Sequence, residues 1–343
     1  MSAKTEESQE PNFALLVLPE STPASIYGLY EVFQSVGRDW EILTGEKPTG
    51  GRIRARIVAK DGTPPPSRFG VSITPHEGLG NPDVVIVSDL AFPPDWDPRG
   101  QWPAEAAWLR ERYAAGAMIC SVCTGTVMLA EAGLLDGHTV TTHWAIVDLM
   151  KRHYPAVELA PQRILTPSGE GGRIVTSGGA SAWADLALHL VARFSSGTEA
   201  VRAAKIFLLG DHSEGQLPFA GARRPQRHDD AVIAEVQSWI ADNYHTENPV
   251  AVMAHRSGLS PRTFARRFRA ATGYAPIDYV QTLRIEEAKQ LLETEKSAVD
   301  AIAFDVGYED PNSFRRLFKR MVGVTPARYR QRFARIAAPA GDS

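Results

Sequence analysis

Residues 261–279 read PRTFARRFRAATGYAPIDY, and residues 311–329 read PNSFRRLFKRMVGVTPARY. Pro261, Phe264, Arg266, Phe268, Gly273, Pro276 and Tyr279 recur as Pro311, Phe314, Arg316, Phe318, Gly323, Pro326 and Tyr329, always 50 residues on. Self-similarity at a fixed offset means one structural unit built twice. Both copies share a grammar. A short amphipathic segment, 250–257 or 298–305, runs into Gly258 or Gly307. A tight turn follows. Ser260-Pro261 or Asp310-Pro311 then opens a second helix, with the polar residue as N-cap and the proline at the first helical position. Two helices joined by a short turn with glycine predict a helix-turn-helix, present twice. Between the copies, Tyr279, Val280, Leu283, Ala288, Leu291 and Leu292 fall at helical spacing within 277–293. That predicts one rigid helix of ~25 Å at 1.5 Å per residue. Such a spacer can hold two recognition helices in successive major grooves, roughly 34 Å apart.

The second helix of each copy divides its faces. Phe264, Phe268 and Ala271 share one side of the first, and Phe314, Leu317, Phe318 and Met321 share one side of the second. The other side offers Arg262, Thr263, Arg266, Arg267 and Arg269 in the first copy. In the second it offers Asn312, Ser313, Arg315, Arg316, Lys319 and Arg320. Arginine pairs two-pronged with guanine and asparagine with adenine, while the remaining groups can grip phosphates. A solvated face would explain one such helix. Two, capped alike at a fixed offset, point to double-stranded DNA. The charge distribution agrees: 223–335 carries 19 Lys+Arg against 14 Asp+Glu, whereas 1–222 has a net charge of −7. Only the back half is suited to a polyanion.

Outward from this domain (229–335), the segment 209–228, LGDHSEGQLPFAGARRPQRH, is rich in Gly, Pro and polar residues and is expected to be a linker. Residues 336–343 and the polar, acidic residues 1–11 are expected to be tails. Between them, 12–208 alternates short apolar runs with amphipathic stretches. The runs at 13–18, 83–88, 117–122 and 173–177 are strand-like, with helices expected at 26–35, 103–115, 126–132 and 182–194. This alternation predicts an α/β domain whose mainly parallel sheet has helices on both faces. Residues 52–70, with three consecutive prolines, read as an irregular excursion. No apolar run approaches the ~18 residues of a membrane helix, and the start lacks a secretory pattern. The cytoplasm is therefore the expected compartment. Two cysteines, Cys120 and Cys123, make no disulfide framework, and with no second Cys/His pair at zinc spacing no metal site is expected.

In the α/β domain the sharpest local feature is Ile119-Cys120-Ser121-Val122-Cys123-Thr124-Gly125-Thr126. An apolar strand runs directly into small residues and a helix, the context of a nucleophile elbow with Cys123 at its apex. The following helix N-terminus is expected to lower the thiol pKa. The plain alternative is that Cys123 is a small buried hydrophobe.

Residues 229–333 resemble the DNA-binding domain of the AraC/XylS transcription regulators, through Gly258-Leu259-Ser260, Phe264, Phe268, Gly273, Pro276, Tyr279, Arg284, Ala288, Leu291-Leu292, Ile302-Ala303, Val306-Gly307-Tyr308, Phe314, Phe318, Gly323, Pro326 and Tyr329. Residues 13–195 resemble the DJ-1/PfpI-type domain of the class I glutamine amidotransferase-like superfamily, with a flavodoxin-like fold. The matches are Tyr30-Glu31-Val32-Phe33, Cys123-Thr124-Gly125, the run 129–137, Thr141-Thr142-His143-Trp144, Thr176-Ser177 with Gly179, and 185–189. Joined in this order they form the GlxA-like regulator arrangement. The resemblance implies promoter DNA and a homodimer partner, a possible small-molecule effector, RNA polymerase as a partner if the protein activates, and no cofactor. The family's enzymes place an acid near the start of the first helix, and the matching position here is Ser25, which cannot share a proton as a carboxyl does. His143 could be proposed as a base for Cys123, but no third group to orient it is evident. The expectation is a non-catalytic pocket lined by Ser25, Cys123, Thr124, His143, Ser177 and Gly178, for ligand sensing, dimerisation or both. The alternative is a Cys123-dependent hydrolase or hydratase carrying a DNA-binding tail.

Overall fold

The computed structural model describes residues 10–66, 70–93, 95–210, 212–222, 225 and 228–337. The expected tails fall mainly outside these residues, as do parts of the expected linker (211, 223, 224, 226 and 227) and residues 67–69 of the irregular excursion. The chain divides between Gln216 and Leu217 into two compact units.

The N-terminal unit is built on a six-stranded sheet. Its strands are β1 (Asn12–Leu16), β2 (Arg54–Val58), β3 (Val84–Val87), β4 (Met118–Val122), β7 (Leu165–Ser168) and β8 (Ile174–Ser177), in the order β2-β1-β3-β4-β8-β7. All neighbours are parallel except β7, which runs antiparallel to β8. A separate parallel pair joins β5 (Thr139–Val140) and β6 (Glu158–Leu159). The period-2 alternation of strand side chains sends Val85, Val87 and Ile119 into one core, with Trp102, Leu109 and Met128. It sends Val84, Ile86, Met118, Cys120 and Val122 into the other, with Phe33, Leu186 and Leu190. Helices α1 (Pro23–Ser35), α3 (Pro103–Ala114), α4 (Thr126–Glu131), α5 (Val147–His153), α6 (Trp183–Phe194) and α7 (Gly197–Ile206) supply most of the partners, with a short α2 (Asp39–Thr44) after α1.

The irregular excursion expected at 52–70 contains β2. Its sequence RARIV reads poorly as a strand because Arg54 and Arg56 alternate with Ala55 and Ile57; the latter two are buried, and on the arginine face only Val58, at the strand's end, is covered. This is the pattern of an edge strand with one wet face.

The C-terminal unit is all helix: α8 (Ala231–Asn243), α9 (Pro249–Arg256), α10 (Pro261–Thr272), α11 (Pro276–Thr294), α12 (Val299–Asp305), α13 (Pro311–Val322) and α14 (Pro326–Ala337). It has two small cores. Phe264, Phe268, Met253, Ile240 and Val280 build the first. Phe314, Phe318, Ile302, Ala303, Ile285, Ala288 and Leu292 build the second. Helix α11 therefore gives its N-terminal half to one core and its C-terminal half to the other, which makes it the rigid spacer the repeat predicted.

Within the stretch expected as linker, Gln216 is buried in the N-terminal unit and Pro218 in the C-terminal one.

Candidate functional site

The two helix-turn-helix copies are capped by the residues that marked them in sequence. Ser260 Oγ accepts from Thr263 N (3.4 Å), and the Asp310 carboxylate accepts from Asn312 N and Ser313 N (both 3.0 Å). Gly273 and Gly323 end α10 and α13 at φ 80° and 84°, a left-handed conformation that favours glycine. Opposite the phenylalanines, Arg262, Arg266 and Arg269 stand exposed on α10, and Asn312, Arg316 and Lys319 stand exposed on α13. These are three pairs at the 50-residue offset. Arg316 is steadied by Nη2 donating to Ser313 Oγ (2.8 Å).

Two arginines expected among the DNA contacts are engaged elsewhere. Arg267 lies three residues beyond Phe264, on the flank of the core face, and its Nε (2.5 Å) and Nη2 (3.0 Å) donate to Asp230, the N-cap of α8. The Arg315 guanidinium is paired with Asp300 on α12 and donates to Asn312 Oδ1 (3.1 Å).

Arg284 on α11 joins the copies to each other. Its Nε donates to the carbonyl of Tyr244 (2.7 Å), Nη1 to that of Gly307 (2.7 Å) and Nη2 to that of Thr246 (3.0 Å). Gly307 has φ 88°, and a Cβ there would lie 2.7 Å from the backbone of His245. The turn of the second copy therefore sits directly on the loop that leads into the first.

In the N-terminal unit, Cys123 has φ 55°, the strained backbone of an elbow. It follows β4 and opens the 3-10 turn Cys123–Gly125, ahead of α4. Gly125 permits the elbow to close: a Cβ would meet the Ser88 carbonyl and come within 2.7 Å of the Val87 carbonyl oxygen. Thr124 Oγ1 donates to Leu90 O and accepts from Leu90 N, both at 2.7 Å, fastening the elbow to the end of β3. The site lies at the carboxyl ends of β1, β3, β4 and β8, beside the point where strand order reverses.

Burial, with the Asp89 carboxylate adding to it, pushes Cys123 up to about 12. The expected lowering by a helix N-terminus fails because the residue is 4% exposed and α4 has only six residues. Cys120 is fully buried and is also pushed up by desolvation. Both cysteines are free thiols. Alkylation of Cys123 by iodoacetamide should therefore climb about tenfold per pH unit from pH 8 to 10 without a plateau. Mass spectrometry of the labelled peptide checks this, and a plateau below pH 9 would contradict it.

The carboxyl absent from position 25 enters from another strand. Asp89, just beyond β3, is 6% exposed and accepts a hydrogen bond from Ser25 Oγ. Burial raises its pKa, against the lowering effect of Ser25 and Thr22. His143 is half-buried, and desolvation lowers its pKa. Its Nδ1 accepts from Ala145 N (3.1 Å) as an N-cap. Nδ1 is thus committed, and the neutral ring carries its proton on Nε2, which suits a hydrogen-bond donor better than a base. Ser177 is fully buried, and its hydroxyl donates to Ser121 O (3.1 Å). Gly178 faces no open cavity: the side-chain amide of Gln216 fills the place where its Cβ would stand. Cavities of about 500 and 550 Å³ lie away from the elbow, one bordered by Arg112, Arg173 and Arg193, the other by Arg163, Asp185 and His212. Among the described residues no His/Cys/Asp/Glu group could hold a metal ion, and no helix is long and apolar enough to cross a membrane.

Residues 253–332 match the family HTH_18, described as Helix-turn-helix domain, and residues 101–193 match the DJ-1/PfpI family. The HTH-type transcriptional regulator CdhR of Pseudomonas aeruginosa is 30% identical over 289 residues, covering 81% of this chain and 81% of that protein. The chain belongs to the HTH-type transcriptional regulators that join a DJ-1/PfpI domain to an AraC-type helix-turn-helix domain. A second such regulator, GlxA of Rhizobium meliloti, is 29% identical over 254 residues, covering 73% of this chain and 75% of its own. An AraC family transcriptional regulator from Pseudomonas putida, known from its crystal structure, is 17% identical, with a TM-score of 0.46 over 57% of this chain and 99% of its own. As an HTH-type regulator the protein binds DNA.

Sequence reasoning missed two residues of this regulator's N-terminal site. Asp89 lies in an unremarkable Ser-Asp-Leu after β3, and Gln216 lies in the stretch expected as linker. Only the fold brings Asp89 to Ser25 and Gln216 to Thr142.

Proposed function

We infer that this regulator reads promoter DNA with α10 and α13 together, and that its N-terminal unit is a non-catalytic sensor. The carrying observation is the exposed set Arg262/Asn312, Arg266/Arg316 and Arg269/Lys319, presented by two helices that each open on a polar N-cap and a proline. These side chains contact base edges and phosphates, with Thr263 and Ser313 near the helix starts adding polar contacts. Arg267 and Arg315 act as ties that fix the helices. The protein works in the cytoplasm as a homodimer, and it contacts RNA polymerase if it activates.

The sensor reading rests on the elbow. Cys123, Asp89 and His143 are each displaced toward their uncharged forms. This chemistry suits recognition of a small polar effector by hydrogen bonds, and it does not suit a thiolate nucleophile. A panel of small polar metabolites, screened by thermal melting of the intact chain, tests it. An effector at 100 times its Kd adds ~2.7 kcal/mol to the stability of the unit that binds it. Asp89→Asn should remove most of that shift. Silence across the panel would favour a unit that serves dimerisation alone. Turnover lost on Cys123→Ser would favour the enzyme alternative.

A further inference from the structure

Within the N-terminal unit the parallel sheet has two ends. The elbow occupies the carboxyl ends of its strands. A cavity of about 500 Å³ opens at the amino ends, one strand length (~15 Å) away. Asp83 precedes β3, Met118 opens β4 and Arg173 precedes β8, and all three border the cavity. Arg112, from the last turn of α3, and Arg193, from the last turn of α6, bring the bordering guanidinium groups to three.

Each arginine is held by acceptors that leave its charge standing. Arg173 Nη1 donates to the carbonyls of Tyr113 (2.8 Å) and Ala117 (3.4 Å), and its guanidinium lies 4.4 Å from the centre of the Tyr113 ring. Arg193 Nη1 donates to the carbonyl of Gly172 (3.2 Å) and Nη2 to that of Gly171 (3.0 Å). Arg112 Nη1 donates to Asn81 Oδ1, while its Nε is buried with no partner among the described residues. Neutral acceptors orient a guanidinium without cancelling it. Two carboxylates do touch these groups, Glu111 beside Arg112 and Glu170 beside Arg173. They are 69% and 88% exposed, and ion pairs so placed contribute little. The Arg112 and Arg173 side chains are themselves only 12% and 24% exposed. The carboxylate in the lining is that of Asp83, and its Oδ2 accepts from the backbone N–H of Asn12 (2.8 Å).

Three like charges around one cavity repel one another, and the cavity walls concentrate their field. Ties to loop carbonyls would hold the loops equally well if the arginines were dispersed. Their convergence calls for an anion between them.

We propose that this cavity is a second ligand site of the N-terminal unit, for a small multivalent anion bearing phosphate or carboxylate groups. Both groups present paired oxygens that match the planar fork of a guanidinium. Phe194 offers an apolar wall to the rest of the molecule. The volume falls within the ~300–1,000 Å³ of small-molecule pockets. The site is independent of the elbow, since none of these residues belongs to it.

Hydrogen exchange by mass spectrometry is the test, on the intact chain titrated separately with pyrophosphate and with citrate at an ionic strength fixed by sodium chloride. Bound anion should slow exchange about threefold or more in peptides spanning 112–118 and 170–175. Exchange is read peptide by peptide, so anion gathered by the arginines of α10 and α13 does not enter the result. Arg193→Gln should weaken the binding read at those peptides about tenfold. Asp83→Asn should strengthen it roughly fivefold, because the opposing charge is gone. Arg152→Gln, the same change of charge at an exposed position on α5, should alter it less than about twofold. Stronger protection by pyrophosphate assigns the site to phosphorylated ligands, and stronger protection by citrate assigns it to polycarboxylates. The proposal is overturned if neither anion protects these peptides at about 10 mM, or if Arg193→Gln and Arg152→Gln weaken binding alike. Should Arg193→Gln unfold the unit, Asp83→Asn decides alone, since unfolding cannot produce a gain in affinity.

Discussion

Replacing Arg266 and Arg316 together by alanine should weaken specific promoter binding by about 10²–10⁴-fold. The two residues hold equivalent places, 50 positions apart, on the exposed faces of α10 and α13. A guanidinium that pairs two-pronged with a base contributes roughly 1–3 kcal/mol. Two in separate half-sites should add, because no shared partner couples them. Neither side chain belongs to a core, so the fold should survive and melting should stay close to wild type. Fluorescence anisotropy on a promoter fragment, with each single mutant beside the double, checks the prediction. The singles should each lose part of the affinity and relax specificity at different bases. Arg267→Ala should behave differently. It breaks the ion pair with Asp230 and so loosens α8, with little change in sequence preference.

The second large effect concerns Arg284. Arg284→Met should lower the stability of the C-terminal unit by ~2–4 kcal/mol, since the carbonyls of Tyr244, Thr246 and Gly307 lose a charged donor at once. For a unit of this size the midpoint should fall by roughly 10–20 °C. Methionine retains much of the packing, so the loss reports hydrogen bonding more than volume. Lysine should rescue little, because a single ammonium cannot span three carbonyls arranged for a planar fork. Calorimetry of the intact chain would show the transition of the C-terminal unit moving down while that of the N-terminal unit stays fixed. DNA binding should fall too, since this arginine fixes the turn of one copy on the loop of the other.

How much of this was legible in the sequence varies by element. In the C-terminal unit the two helix-turn-helix copies and the helix between them were legible, because their signals are local. Ser260, Asp310, Gly273 and Gly323 mark helix ends by backbone chemistry, and Phe264, Phe268, Phe314 and Phe318 mark one face by periodicity. The central strands β3 and β4 were plain because a strand covered on both faces is apolar throughout. At the sheet's edges the signal fades: β2 carries Arg54 and Arg56, and β7 carries Pro167. The site residues that escaped are those defined by tertiary contact. Asp89 comes to Ser25 from the loop after β3, 64 residues away in sequence. Gln216 reaches Thr142 across 74 residues. Arg267 and Arg315 carry charge on a helix surface, and only the fold shows that Asp230 and Asp300 claim them. The elbow itself was legible from Cys123-Thr124-Gly125. The raised pKa of its thiol was not, because burial and a neighbouring carboxylate are invisible in a local motif.

Joint reading of DNA by two recognition helices on one rigid frame has a direct signature in the sites the protein selects. Selection of high-affinity sites from a library of random duplexes, by the intact chain at about 150 mM salt with excess non-specific competitor, tests it most directly. Two recognition helices acting together should enrich a motif with two fixed blocks, centred about 10 base pairs apart on one face of the duplex. A single short block would place only one helix on the bases, and a library that emerges unenriched would contradict sequence-specific reading altogether.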